Sequence, residues 1–571
     1  MAPVSIFPGS IDEQRPLKCI TVGAGISGIL AGIRLPERIK KLDLTIYDKN
    51  PDVTGTWYEN RYPGVACDIP AHSYQLSFEP NPNWSHFYAS GQELHDYWQG
   101  VAKKYGVMKY VKLSHKVVGA EWDESKSKWF VTIENLTTKE TFVNDCDILL
   151  VCVGTLNDWK WPDIKGLHDF KGELLHSASW NDDFKPEGKN VAVIGSGSSA
   201  IQIVPTLQKV VNRLDNYVRG KTWISPPFAS QEVEKHTSSE ANFVFSEDEL
   251  KRFREDPKFF LEYRKAIEDE IQGAHHVTFI GNDSDEAAAL FKKTMEAKLA
   301  ARPEIFKALI PSFPPGCRRL TPGPGYLNSL VQPNVNFITT GIDHVSETGI
   351  VTEDGVLREV DALVCATGFD TTYTGRFPIK GRNGKLLSDH WTPFPSTYLS
   401  ITTDGFPNLF TSFGPNSALG TGSLSMMFEK VIEYVSKAAE RMAYENILTI
   451  EPKPEAVANF VEYCHQYFKN TVFAKPCRSW YKGGKAVGDI ISLWPGSSLH
   501  AIWALSHPRW EDYEYTFIGG NPMAWFGDGW TETERRVDGD RSYYLNPDQV
   551  SIPNIPTAST DAPVASNSKS V

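Results

Sequence analysis

Two glycine-rich turns, each following a short apolar run, are the residues of this sequence best suited to grip a cofactor. The first is Gly23-Ala-Gly25-Ile-Ser-Gly28 after Cys19-Ile-Thr-Val22, and the second is Gly195-Ser-Gly197-Ser-Ser-Ala200 after Val191-Ala-Val-Ile194. Such spacing allows a tight strand-to-helix turn and close backbone approach to a pyrophosphate, which the following helix N-terminus attracts. The next strand of the first unit, Leu44-Thr-Ile-Tyr47, ends at Asp48, 20 residues after Gly28. An acid there accepts hydrogen bonds from ribose hydroxyls. In the second unit the strand around Asp215-Asn-Tyr-Val218 ends at Arg219, 19 residues after Ala200. A cation there suits a 2′-phosphate and favours NADP over NAD; a solvated surface arginine is the alternative. Two dinucleotide sites in one chain suggest an enzyme that moves electrons from one cofactor to the other.

The elements that must position these turns are parallel strands and their covering helices. Ile29, Leu30 and Ile33 continue the first unit as a helix, and Ile201-Gln-Ile-Val204 opens the second, with Pro205 early enough to be tolerated. Asp147-Ile-Leu-Leu-Val-Cys-Val-Gly154 and Asp361-Ala-Leu-Val-Cys-Ala-Thr-Gly368 echo one another as apolar strands ending in glycine. Each would return the chain to a domain boundary, so each nucleotide domain is expected to be discontinuous. Between them, Ser246-Glu-Asp-Glu249 is a capping box, Leu250 to Ile271 mixes apolar and charged positions, and Asp283 to Ala301 is an amphipathic helix. This is a helical insertion, either decoration or the cover of a substrate pocket. The fold class is therefore α/β, with two Rossmann-like dinucleotide-binding domains.

At 571 residues the chain accommodates two or three domains, and 41% hydrophobic with 22% charged residues is ordinary for a globular protein. The net charge of -12 argues against nucleic acid as a partner. No signal peptide opens the chain and no window approaches the roughly 18 apolar residues of a spanning helix. A cytoplasmic protein without a membrane span is expected, its oligomeric state unspecified. The eight cysteines include no Cys-x-x-Cys pair. They read as free, mostly buried thiols in a reducing compartment, with neither a metal site nor a dithiol redox centre expected.

Phe170-Lys-Gly172-Glu-Leu-Leu-His176-Ser-Ala-Ser-Trp180-Asn181, between the two turns, resembles the fingerprint of the flavin-dependent Baeyer–Villiger monooxygenases. Thr54-Gly55-Thr56-Trp57, Arg61-Tyr62-Pro63-Gly64 and Asp68 resemble that family's second signature, with Thr54 where Gly or Ala is usual. Asn181 likewise stands where Pro or Asp is expected. Ala366-Thr-Gly368-Phe-Asp370, Gly316-Cys-Arg318-Arg319 and Cys477-Arg-Ser-Trp480 extend the likeness to fungal members, from about Leu17 to Phe517.

The resemblance implies FAD and NADPH as cofactors, a small-molecule ketone and O2 as substrates, and insertion of oxygen beside the carbonyl through a C4a-peroxyflavin. The ketone would be a secondary metabolite, a polyketide or terpenoid. It makes Arg319 the cation that favours the peroxide anion, and Asp68 the acid that holds Arg319. Arg318 and Trp480 would contact NADP, and Thr56 and Trp57 would lie near the flavin. Gly220 follows Arg219 where a hydroxyl residue is common, so it has no side chain to offer the phosphate. His176 would couple cofactor motion to catalysis, a satisfied structural histidine being the equal alternative. The expected domains are an N-terminal extension (1–16), an FAD-binding domain (17–158 and 366–545), an NADP-binding domain (159–229 and 310–365), the helical insertion (230–309) and a disordered tail (546–571). Oxygenation at sulfur or nitrogen on the same fold is the competing function, and a flavoprotein disulfide reductase a further one.

Overall fold

Leu17–Val22 forms the centre of a five-stranded, wholly parallel sheet. Leu42–Tyr47 and then Val111–Lys112 lie on one side of it, and Ile148–Val151 and then Leu409–Thr411 on the other. Every residue of Ile148–Val151 is buried, as a parallel strand covered on both faces requires. Helix Ile26–Arg38 follows the first strand, and its Ile29, Leu30 and Ile33 share a core with Val431, Val435 and Ala438 of helix Leu424–Tyr444. Each such side chain withdrawn from water contributes about 1.5–3 kcal/mol. The computed structural model describes residues 4–236, 241–373 and 376–551.

A second parallel sheet repeats the order. Asn190–Ile194 is central, flanked by Arg213–Tyr217 and Val335–Ile338 on one side and by Ala362–Cys365 and Glu173–His176 on the other. Helix Ser198–Gln208 follows the central strand. Both sheets are discontinuous in sequence, but differently. The first takes its edge strand from Leu409–Thr411, far downstream, whereas the second takes Glu173–His176 from just upstream. The echo between Asp147 and Asp361 is structural: Asp147 accepts the backbone N–H of Lys18 at 2.8 Å and Asp361 that of Asn190 at 2.7 Å. Each carboxylate thereby pins the start of its central strand.

The insertion is helical, as expected. Ser246 and Glu249 form a reciprocal capping box at helix Glu247–Glu255. Pro257, at the first position of helix Pro257–Gly273, divides the Leu250–Ile271 stretch, and Asp256 caps the second helix through the N–H of Phe259. Helix Asn282–Lys298 completes it.

Two compact units make up the chain, one spanning 14–518 and the other combining the N-terminus with residues from 519 onward. In the smaller unit Ile11 N–H donates to Trp530 O at 3.0 Å and Asp528 N–H to Gly9 O at 2.9 Å. Within it, Arg535 donates to Ser10 at 2.9 Å. Most of the tail expected to be disordered (552–571) lies outside the described residues. Among the described residues no helix is long and apolar enough to cross a membrane.

The cysteines depart from the sequence expectation. Cys317 and Cys477 are joined by a disulfide across 160 residues, and the other six cysteines are free and buried. Absence of a Cys-x-x-Cys motif says nothing about cysteines brought together by tertiary structure. Cysteine usage accordingly no longer points to a reducing compartment.

Candidate active site

Both glycine turns lie at the carboxyl ends of their sheets, where open α/β folds bind ligands. A Cβ at Gly23 would stand 2.5 Å from the carbonyl oxygen of Cys152, and one at Gly195 would stand 2.4 Å from that of Ala366. Their φ values, +102° and +135°, also belong to the region that favours glycine. Gly28 is packed still more tightly, 2.0 Å between its built Cβ and the oxygen of Gly23, whereas Ala200 at the matching place is accommodated and fully buried. Gly197 has no atom within 4 Å of a built Cβ, and neither Gly25 nor Gly197 caps its helix through a side chain. The first N–H groups of both helices are left for a ligand, which fits a pyrophosphate at each.

Asp48 is buried, and its two oxygens accept the backbone N–H groups of Ala24 at 2.6 Å and Asn50 at 2.8 Å. Burial raises its pKa despite these bonds. Asp48 thus fixes the first turn from beneath as well as lining the cleft. Arg219 is exposed, two residues beyond strand Arg213–Tyr217, and stands outside the cleft lining.

The cleft, roughly 1220 Å³, brings together Gly23, Gly25, Asp48, Thr56, Trp57, Asp68, Gly197, Arg318, Arg319 and Trp480. Gly28, Gly195, Ala200 and His176 do not line it; the first three hold the turns and helices. At its centre Arg319 grips Asp68 with two parallel bonds, Nε to Oδ2 at 2.9 Å and Nη2 to Oδ1 at 2.6 Å. The Asp68 carboxylate drives the guanidinium pKa further above its already high value. Arg319 is 36% exposed, and since it lines the cleft, that area is open to a ligand.

The signature around Asp68 has a docking role that sequence spacing did not reveal. Tyr62 donates its hydroxyl to Gln202 Oε1 at 2.8 Å, and Gln202 Nε2 donates to Ala66 O at 3.0 Å. At Gly64 a Cβ would meet Thr206 Oγ1 at 2.2 Å. The Tyr62-Pro63-Gly64 turn is therefore seated on helix Ser198–Gln208 of the second nucleotide unit, with Asp68 a few residues on. Thr54, where Gly or Ala is usual, has φ +84° and is buried with its hydroxyl unpartnered. A positive φ there suits glycine in particular.

His176 ends the edge strand of the second sheet, in register with Cys365. Its ring stacks on Trp159 (4.3 Å, 14°), its Nδ1 accepts the N–H of Ala178 at 3.1 Å, and its Nε2 lies 3.3 Å from Thr367 Oγ1. Trp159 and Thr367 belong to the two stretches of chain that cross between the sheets. The side chain is fully buried, and burial lowers its pKa to about 4. A neutral, fully bonded imidazole in that position is no general base. The insertion contributes Glu270, Ile271, Ala287 and Phe291 to the cleft wall. Met427 packs in the core, while Leu424 and Phe428 beside it face the cleft.

The sequence is 37% identical over 93% of this chain to the "FAD-binding monooxygenase tazF" of Aspergillus terreus, covering 95% of that protein. It is 33% identical to a "Baeyer-Villiger monooxygenase" of Pseudomonas aeruginosa, over 84% of this chain and 88% of that protein. The chain belongs to the Baeyer–Villiger family of FAD-binding monooxygenases. Within the monooxygenase, residues 21–90 match the NAD(P)-binding Rossmann-like domain, and 76–309 match the L-lysine 6-monooxygenase/L-ornithine 5-monooxygenase family. The fold is similar to that of cyclohexanone monooxygenase from Rhodococcus sp. Phi1 bound to NADP+, with a TM-score of 0.76 at 26% identity, covering 88% of this chain and all of that one. The protein is an enzyme, an FAD- and NADPH-dependent oxidoreductase of the monooxygenase type.

Proposed function

We propose that the enzyme performs a Baeyer–Villiger oxidation, converting a ketone to an ester or lactone, with residues 17–158 and 366–545 holding FAD and 159–229 and 310–365 holding NADP. The bidentate Arg319–Asp68 pair in the cleft that both turns line carries this reading. Bound FAD, reduced by NADPH, supplies the activation of oxygen. The protein's share is electrostatic: Arg319 would offer a permanent cation to negative charge that develops beside the ketone carbonyl. Asp68 holds that cation's plane in place, and the Tyr62–Gln202 contact fixes Asp68's loop against the second nucleotide unit. His176 joins the crossing segments and acts on conformation rather than on protons. The likeness to fungal monooxygenases supports a secondary-metabolite ketone, of polyketide or terpenoid type, as the substrate.

Oxygenation at nitrogen or sulfur is the second reading, favoured by the match of residues 76–309 to the lysine and ornithine monooxygenases. Product analysis separates the two when a panel of cyclic ketones, aryl sulfides and amines is compared by kcat/KM. Ester or lactone formation at the highest kcat/KM supports the proposal. Oxygenation of amines or sulfides with ketones untouched would refute it.

A further inference from the structure

Each half of the disulfide is followed by an arginine that makes no ion pair among the described residues. Cys317 precedes Arg318, Cys477 precedes Arg478, and the two Cα atoms are 6.4 Å apart. Both arginines line the cleft, and neither makes an ion pair among the described residues. Arg318 donates to Lys221 O at 3.1 Å, lies over the Phe313 ring at 5.1 Å, and has a buried Nε without a partner. Burial depresses its pKa, and so, to a lesser extent, does the charge of Arg478. A Cβ at Gly220 would stand 3.5 Å from Arg318 Nη1, so Arg318 meets the end of the second unit's strand, where Arg219 and Lys221 flank Gly220 in sequence. Two cleft-lining cations with no ion pair among the described residues, in a chain of net charge -12, suit a dianion.

We infer that Arg478 is a further partner for the 2′-phosphate of NADPH, and that the Cys317–Cys477 bond holds it beside Arg318. Arg478 thereby compensates for Gly220, which has no hydroxyl to donate to the phosphate. The clasp is reinforced by Lys482, almost fully buried, whose Nζ donates to the carbonyls of Lys475 (2.6 Å), Cys477 (3.3 Å) and Ala486 (3.3 Å). The same Nζ lies 3.7 Å from Cys477 Sγ and 3.9 Å from Cys317 Sγ, where it would stabilise a thiolate. Reduction by a dithiol breaks the S–S bond: the reagent gives two electrons and two protons, leaves as its own disulfide, and two protein thiols form. The arginines are then free to separate, so 2′-phosphate recognition becomes redox-dependent.

This inference rests on assigning NADP to the second unit, and calorimetry on the FAD-loaded protein tests each separately. Wild type should bind NADP+ more tightly than NAD+; equal affinity would remove the assignment itself. Arg478→Ala should weaken NADP+ at least tenfold and leave NAD+ unchanged. Retention of wild-type NADP+ affinity, or equal loss for both nucleotides, would overturn the role of Arg478. For the clasp, alkylation in denaturant should modify six cysteines as isolated and eight after dithiothreitol. The reduced protein should lose NADP+ affinity and regain it on reoxidation in the same sample. Eight reactive thiols at the outset, or unchanged affinity after reduction, would overturn the clasp, and neither result requires a cysteine variant to fold.

Discussion

The two nucleotide units share an architecture and differ in how they close. In each, an aspartate pins the central strand, a glycine turn backs onto the carbonyl of the neighbouring strand, and four of the five strands follow the same order. The first unit buries Asp48 under two backbone donors and packs Gly28 against the turn. The second replaces these with exposed Arg219 and the looser Ala200. A closed turn with a buried acid suits a cofactor that stays, whereas an open corner of cations suits one that exchanges. The shared architecture gives both turns the same backing, and a few residues at each turn make the difference between them.

The comparison breaks most severely at Gly28. Gly28→Ala places a methyl group 2.0 Å from a carbonyl oxygen, so the protein should purify without flavin, read from flavin absorbance per mole of protein. The converse Ala200→Gly should keep the flavin and cost about 1 kcal/mol in denaturant unfolding. Equal effects would show that the two turns are packed alike. Arg319→Ala should keep FAD and lose ketone oxygenation by about 10²–10³ in kcat. Ester formation at the wild-type rate would remove Arg319 from the chemistry. Arg219→Ala should raise KM for NADPH by roughly 10- to 100-fold, the worth of a charged hydrogen bond, and barely change KM for NADH.

Two smaller effects sharpen the picture. The His176 pKa falls from 6.5 to about 4 on folding, so the unfolded chain binds the proton first. The stability that comes from keeping the ring neutral is complete above pH 6.5 and is lost as pH falls toward 4, at about 1.4 kcal/mol per pH unit. His72, fully buried and shifted to about 3, works in the same direction. His176→Gln should therefore flatten, without abolishing, the acid-side decline of Tm; an unchanged slope would mean that His176 is protonated in the native state. Thr54→Gly should relieve the positive φ and raise stability by roughly 0.5–2 kcal/mol, and a lowered Tm would place the threonine's value in packing.

What was legible in the sequence was local. An apolar run entering Gly-x-Gly fixes a strand, a turn and a helix within about 20 residues, so both units were visible, as was the capping box at Ser246. Arg319 and Asp68, 251 residues apart, were joined only through family likeness. Spacing could not show that Tyr62 and Gly64 seat one unit on the other, because those contacts belong to tertiary packing. Nor could it pair Cys317 with Cys477, since cysteine connectivity depends on the path of the chain and not on its motifs. Asp48 illustrates a subtler shortfall: its position was predicted, but its engagement by the backbone of its own turn was not.

The origin of the first sheet's edge strand has a consequence for the order of biogenesis. Leu409–Thr411 pairs with Leu149–Val151, and Ser412 bonds to Ser27 across 385 residues. On the ribosome, all five strands of the second sheet, ending at Cys365, emerge before that edge exists. The half assigned to the nicotinamide nucleotide has every strand it needs while the other half still lacks its edge and its long covering helix. Completion of the first sheet is thus a late step in the life of the nascent chain, after the second sheet has had the chance to close.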